Sequence, residues 1–199
     1  MGFMPASIES LPYSEVARRS PRPDDCILAV VDIQEKLLPV IHEKERVLRN
    51  SQLLIRLAKI LDLPIALSLQ YPKGLGTAVP EIVSLVDGVQ PIEKLEFGCF
   101  GNEGYCTAIE RLLGRNTLLV CGIEAHICVT QTVLGALNQG MIVHVAADAG
   151  GSRAELNWTI GLDRMRDAGA VISSTEMMIY ELLRKSGTPE FKEMLKYLR

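Results

Sequence analysis

The sequence predicts an α/β fold, a three-layer α/β/α sandwich around a six-stranded, mostly parallel, doubly wound sheet. Three observations carry that expectation. Short apolar runs bounded by turns alternate with amphipathic helical stretches from residue 26 onward, the pattern of successive βα units. The first runs are apolar on both faces, as strands covered by helices on either side must be. Chemistry-bearing residues stand at the ends of the runs, where open parallel sheets place their sites.

Taken in order, residues 1–25 are rich in Pro, Ser and charge and read as an N-terminal arm that docks loosely. Residues 26–33 form a central strand ending in an acid, Asp32. Pro39 interrupts the stretch beyond that strand, so a turn or loop is expected as far as His42. Val47, Leu48, Leu53, Leu54, Leu57 and Leu61 then recur on one side of a helix over 43–61. A second buried strand covers 64–69, a turn-rich loop 70–77, and a short helix 80–86 with Pro80 at its first position.

Residues 91–95 read as a short third strand containing Lys94, followed by glycine-rich 97–104 and a helix to about 113. The fourth strand is 116–121. It leads through Gly122 and a polar turn to a helix over 128–138, opened by Cys128 and closed by Gly140. A fifth strand, 141–146, leaves through a loop over 148–152. A helix over 154–167 capped by Gly169, a sixth strand over 170–173, a helix over 176–184 capped by Ser174 or Thr175, and a terminal helix over 189–198 complete the chain.

Composition narrows the function classes. The 199 residues are 48% hydrophobic and 23% charged, with a net charge of −3 and both signs dispersed. A nucleic-acid surface would need a concentrated basic patch, and a membrane span about 18 consecutive apolar residues; neither is present. The first 25 residues lack an apolar signal core, and the expected location is cytoplasmic. Five cysteines without a C-x-x-C pair read as free thiols. With three histidines in all, a histidine-rich metal site is not expected, and no cofactor is implied.

A thiol on the first turn of a helix sits among unpaired N–H groups at the positive end of the macrodipole, a setting that favours thiolate. The same Cys128 is also consistent with a small buried apolar residue. Asp32 reads equally as a loop acid and as a base, and Lys94, between Glu93 and Glu96, is also consistent with a solvated lysine. His126 invites a Cys–His dyad, yet two residues before Cys128 on a turn it is expected to point elsewhere. A redox or nucleotide-binding protein finds no support, because no G-x-G-x-x-G or P-loop follows a strand.

The order and context of these residues carry more. Ala29-Val30-Val31-Asp32-Ile33-Gln34, Ile92-Glu93-Lys94 with Phe97 and Phe100 behind it, and Gly122-Ile123-Glu124-Ala125-His126-Ile127-Cys128-Val129 followed by Thr132 resemble the isochorismatase-like cysteine hydrolase superfamily over about residues 26–185. Gln70-Tyr71-Pro72-Lys73-Gly74-Leu75-Gly76 narrows the resemblance to the isochorismatase-domain-containing branch.

The resemblance implies a hydrolase domain over 26–199 and a triad of Asp32, Lys94 and Cys128, acting on a small amide or related acyl substrate. It also implies a cis Ile123–Glu124 peptide and an oxyanion hole from the backbone of Glu124 and Cys128. Gln34, Tyr71, Phe97, Phe100, Ile123 and His126 are the candidate pocket residues, and a homo-oligomer (dimer or tetramer) is the expected assembly. Two departures matter. Nicotinamidase-like relatives hold a metal with an Asp-x-His pair where this chain has Ser68-Leu69-Gln70, so no metal site is expected. Many relatives have Thr-Asp where this chain has Ala125-His126. The alternative function is a non-catalytic binding or regulatory module on the same scaffold.

Overall fold

Six parallel strands make one sheet in the order β3-β2-β1-β4-β5-β6. The computed structural model describes residues 20–112 and 114–198. Most of the expected arm, 1–19, and the expected helix end at Leu113 lie outside the described residues. The strands are β1 (Cys26–Val31), β2 (Ile65–Gln70), β3 (Ile92–Lys94), β4 (Thr117–Ile123), β5 (Ile142–Gly151) and β6 (Val171–Ser173). The helices are α1 (Lys44–Ile60), α2 (Pro72–Leu75), α3 (Pro80–Val83), α4 (Glu103–Glu110), α5 (Thr130–Asn138), α6 (Glu155–Asp167), α7 (Thr175–Leu183) and α8 (Pro189–Met194).

The period-2 alternation of β1 divides its side chains between two apolar cores. Cys26, Leu28 and Val30 pack with Leu54 of α1, Ile179 of α7 and Met194 of α8. Ile27, Ala29 and Val31 pack with Ile109 of α4, Val133 of α5 and Met165 of α6. Helices therefore cover both faces, and the doubly wound sandwich expected from the sequence is the fold observed. Side chains cap several helices: Asn102 accepts from the Tyr105 N–H, Ser174 from Met177 and Thr188 from Phe191.

Several boundaries move, each for a local reason. β1 stops at Val31 because Asp32 turns into the left-handed region at φ 52°. The loop over 70–77 contains a turn of helix, α2, begun by Pro72. β5 continues to Gly151, well past the expected end at 146. Its pairing with β4 jumps from Val120–Val145 to Gly122–Gly150, so 146–149 form a bulge in that ladder. The Asp148 carboxylate there accepts from the N–H and hydroxyl of Thr175, a structural tie between β5 and α7. Of the arm, the segment nearest the domain is held rather than loose. Arg115 donates to the Pro23 carbonyl at 2.7 Å, and Asp25 accepts from the Asn116 N–H at 2.8 Å.

Gly122 is the tightest point of the sheet. Its φ is +124°, and a Cβ there would stand 2.1 Å from the backbone oxygen of Val31. Gly122→Ala is expected to cost about 3–6 kcal/mol, backbone strain and overpacking together. Gly140→Ala, with φ +78° but open space around it, should cost only about 1–2 kcal/mol. Denaturant midpoints of the two variants check this; equal losses would refute it.

Candidate active site

The winding direction switches between β1 and β4: from β1 the chain winds outward through β2 and β3, then returns to begin β4 on the other side. The crevice at the carboxyl ends of such strands is where open α/β sheets bind ligands. Asp32 follows β1, Cys128 lies just beyond β4, and Lys94 ends β3.

The structure brings Asp32 and Lys94 together. Lys94 Nζ donates to Asp32 Oδ2 at 2.7 Å, with both side chains fully buried. Its other partners are Gln70 Oε1 at 2.7 Å and the carbonyls of Phe97 at 3.1 Å and Glu96 at 3.3 Å. All are acceptors, so the three N–H bonds of an ammonium are occupied. Ser68 Oγ donates to Asp32 Oδ1 at 2.7 Å. A buried charge without such partners would be expelled or neutralised.

Cys128 is 6% exposed, and its thiol faces the charges of Asp32 and Lys94. Its local structure differs from the expected helix start: residues Ala125–Val129 form a π-turn, and α5 begins only at Thr130. The expected thiolate is corrected with it. Burial first, then the Asp32 charge, push the Cys128 thiol up to about 12, and Lys94 offsets only part of this. The resting group is therefore a thiol beside a carboxylate. The Ile123–Glu124 peptide bond is cis.

The remaining candidates fall in different places. Gln34 is buried, and its amide donates to the carbonyls of Gln70 and Gly76 while accepting from the Gln70 N–H. It braces the 70–76 loop. Tyr71 and Phe97 are half or more exposed at the rim, and Tyr71 walls a cavity of about 410 Å³ beside Lys94 with Leu95, Glu96 and Asn102. Phe100 packs edge-on against Tyr105 and lines a separate groove with Cys106, Ile109 and Met141. Ile123 is fully buried. His126 Nδ1 lies 2.9 Å from Ser152 Oγ, so its ring is engaged away from the Cys–His dyad. The Glu124 carboxylate is held by the N–H of Arg153 at 2.9 Å and its Nε at 3.1 Å.

Sequence reasoning passed over Ser68, Gln70 and the bracing role of Thr132. The Thr132 hydroxyl donates to the Cys128 carbonyl at 2.7 Å and accepts from the Cys99 N–H at 3.0 Å. A usable signal existed: Ser68 and Gln70 are polar residues two apart in the otherwise apolar Ile65–Gln70, and buried polar groups need partners. Among the described residues no group of three or more His, Cys, Asp or Glu is placed to hold a metal, and no helix is long and apolar enough to cross a membrane.

The isochorismatase domain model matches residues 26–177. The chain belongs to the isochorismatase-domain family. It is 36% identical to mouse isochorismatase domain-containing protein 2A over 181 residues, covering 89% of this chain and 84% of the relative. Among solved structures it superposes on the MAR1 ribonuclease of Caenorhabditis elegans with a TM-score of 0.83 and 33% identity, over 89% of this chain and 91% of the other. The YcaC gene product of Escherichia coli, an octameric hydrolase of unknown specificity, gives 0.81 and 26% over 90% and 87%. In this isochorismatase-domain protein, Asp32, Lys94 and Cys128 all fall within the matched span.

Proposed function

We propose that the protein is a metal-independent cysteine hydrolase acting on the C–N bond of a small amide or a related acyl compound. The observation that carries this is the buried Asp32 carboxylate, paired with the Lys94 ammonium at 2.7 Å and facing the Cys128 thiol. The high thiol pKa makes deprotonation part of the attack. Asp32 takes the proton as Cys128 Sγ adds to the carbonyl carbon, while Lys94 balances the pair's charge. Backbone N–H groups of Glu124 and Cys128 receive the oxyanion. Collapse of the adduct expels the amine, which takes the proton from Asp32. Asp32 then activates a water that cleaves the thioester and regenerates the thiol. Tyr71 and Phe97 at the rim are the side chains that contact substrate, with Gln34 and Ile123 supporting the walls and Phe100 turned to a separate groove.

The test is mass spectrometry of the Cys128 peptide after exposure to a panel of small amides and acyl compounds. An acyl adduct on Cys128 is expected, with turnover lost in Cys128→Ala while circular dichroism is unchanged. Retained turnover in that variant overturns the proposal. A homo-oligomeric assembly belongs to the same reading, supported by the octameric E. coli neighbour.

One observation favours a second reading, a non-catalytic binding or regulatory module: the thiol is nearly buried and pushed up to about 12. Under that reading no member of the panel acylates Cys128. A nuclease activity like that named for the C. elegans neighbour gains little support from a chain of net charge −3.

A further inference from the structure

β2 brings Ser68 to the site from a strand that supplies none of the triad. Ser68 Oγ donates to Asp32 Oδ1 at 2.7 Å, and the Asp32 N–H donates back to the Ser68 carbonyl at 3.3 Å. Both residues are fully buried. The other groups facing the carboxylate are Lys94 of β3, Cys128 of the π-turn, Cys99 of the 99–101 turn and Tyr105 of α4. Burial holds the Cys99 and Tyr105 protons in place. Lys94 brings a positive charge and Cys128 the reacting proton. Ser68 alone among these neighbours brings a hydrogen bond with neither a charge nor a readily titrating proton.

We propose that Ser68 is a positioning residue that sets how strongly Asp32 draws the proton of Cys128. Donation from Ser68 Oγ occupies a lone pair of Oδ1, moderating the carboxylate's pull on the thiol hydrogen. This rests on the reading of Asp32 as the base. Without the hydroxyl, Asp32 takes the Cys128 proton more readily, leaving more thiolate on Cys128. More acidic solution is then no longer needed to protonate the pair fully, so the acid limb of thiol reactivity moves upward in pH.

The experiment is the pH dependence of Cys128 alkylation by iodoacetamide, followed on the Cys128 peptide by mass spectrometry. It compares the full chain with Ser68→Ala, the isosteric pair Ser68→Thr and Ser68→Val, and Asp32→Asn, each checked by circular dichroism. In Ser68→Ala and Ser68→Val the acid limb is expected to rise by about one to two pH units, the worth of one hydrogen bond to a charged group. The neutral plateau should rise with it. Ser68→Thr keeps the hydroxyl and should keep the parent profile. A limb that stays in place in both Ala and Val variants, or moves as far in Thr as in Val, overturns the proposal. Asp32→Asn separates the two ideas. If that variant retains the limb, Asp32 is not the base and the parent reading fails. If it loses the limb while the Ser68 variants do not move it, only the role of Ser68 fails.

Discussion

Asp32→Asn is expected to lower turnover by about 10²–10⁴-fold, the range for removing a general base, and yet to make Cys128 alkylate faster at pH 7. The two effects have opposite signs because Asp32 acts on the thiol in two ways. Beyond burial, which raises it most, its negative charge holds the thiol pKa high, whereas Lys94 lowers it. Neutralising Asp32 leaves Lys94 unopposed, so the pKa falls and more thiolate is present at pH 7. Catalysis is lost all the same, because nothing remains to return the proton to the leaving amine or to activate water. Asparagine suits the site: it tolerates the left-handed backbone found at φ 52°, and the Ser68 hydroxyl turns to accept from its amide. Parallel measurements of turnover and iodoacetamide rate check this. A variant in which both fall together would show the effect to be structural.

Lys94→Met should cost about 3–5 kcal/mol of stability, the penalty for leaving one member of a buried ion pair without its partner. Both side chains of the Lys94–Asp32 pair have no exposure, so water cannot compensate the carboxylate. Gln70 Oε1 and the carbonyls of Glu96 and Phe97 lose their donor as well. Alkylation of Cys128 should slow, since the cation that lowers its pKa is gone. Asp32→Asn combined with Lys94→Met should recover much of the loss, because no lone charge remains inside. Chemical denaturation of the two single variants and the double tests the coupling; additive losses would argue against it.

Much of the fold was legible because βα alternation is a local signal. The apolar run of β1, the face of α1 and the caps near Ser174 and Gly169 each depend on residues close in sequence. The misjudged stretches are those where a distant partner decides. β5 runs on to Gly151 because its residues pair again with Gly122 and Ile123 after the bulge. Cys128 lies in a π-turn whose Thr130 hydroxyl bonds the Ala125 carbonyl, and α6 leaves room there only because Gly161 faces the His126 backbone at about 3.0 Å from a Cβ position. Within the candidate site the charged and nucleophilic members stood out by residue type. Ser68 stood out only as a polar residue in an apolar strand, a signal that says a partner is needed but not which one.

By itself the sequence determined the layers, the order of strands and helices along the chain, and the three residue types that stand near strand ends. Apolar runs must be buried, and an acid, a lysine and a cysteine at their ends are pushed toward the sheet's edge by the cost of burying polar groups. Strand order was decided by tertiary structure alone. β2 lies between β1 and β3, so Lys94 and Asp32 start two strand spacings apart, about 9–10 Å, and a long side chain must reach across β2 to make the pair. That crossing brings Ser68 and Gln70 into the network. It also sets the surroundings of Cys128, whose thiol is pushed up by burial and by the Asp32 charge.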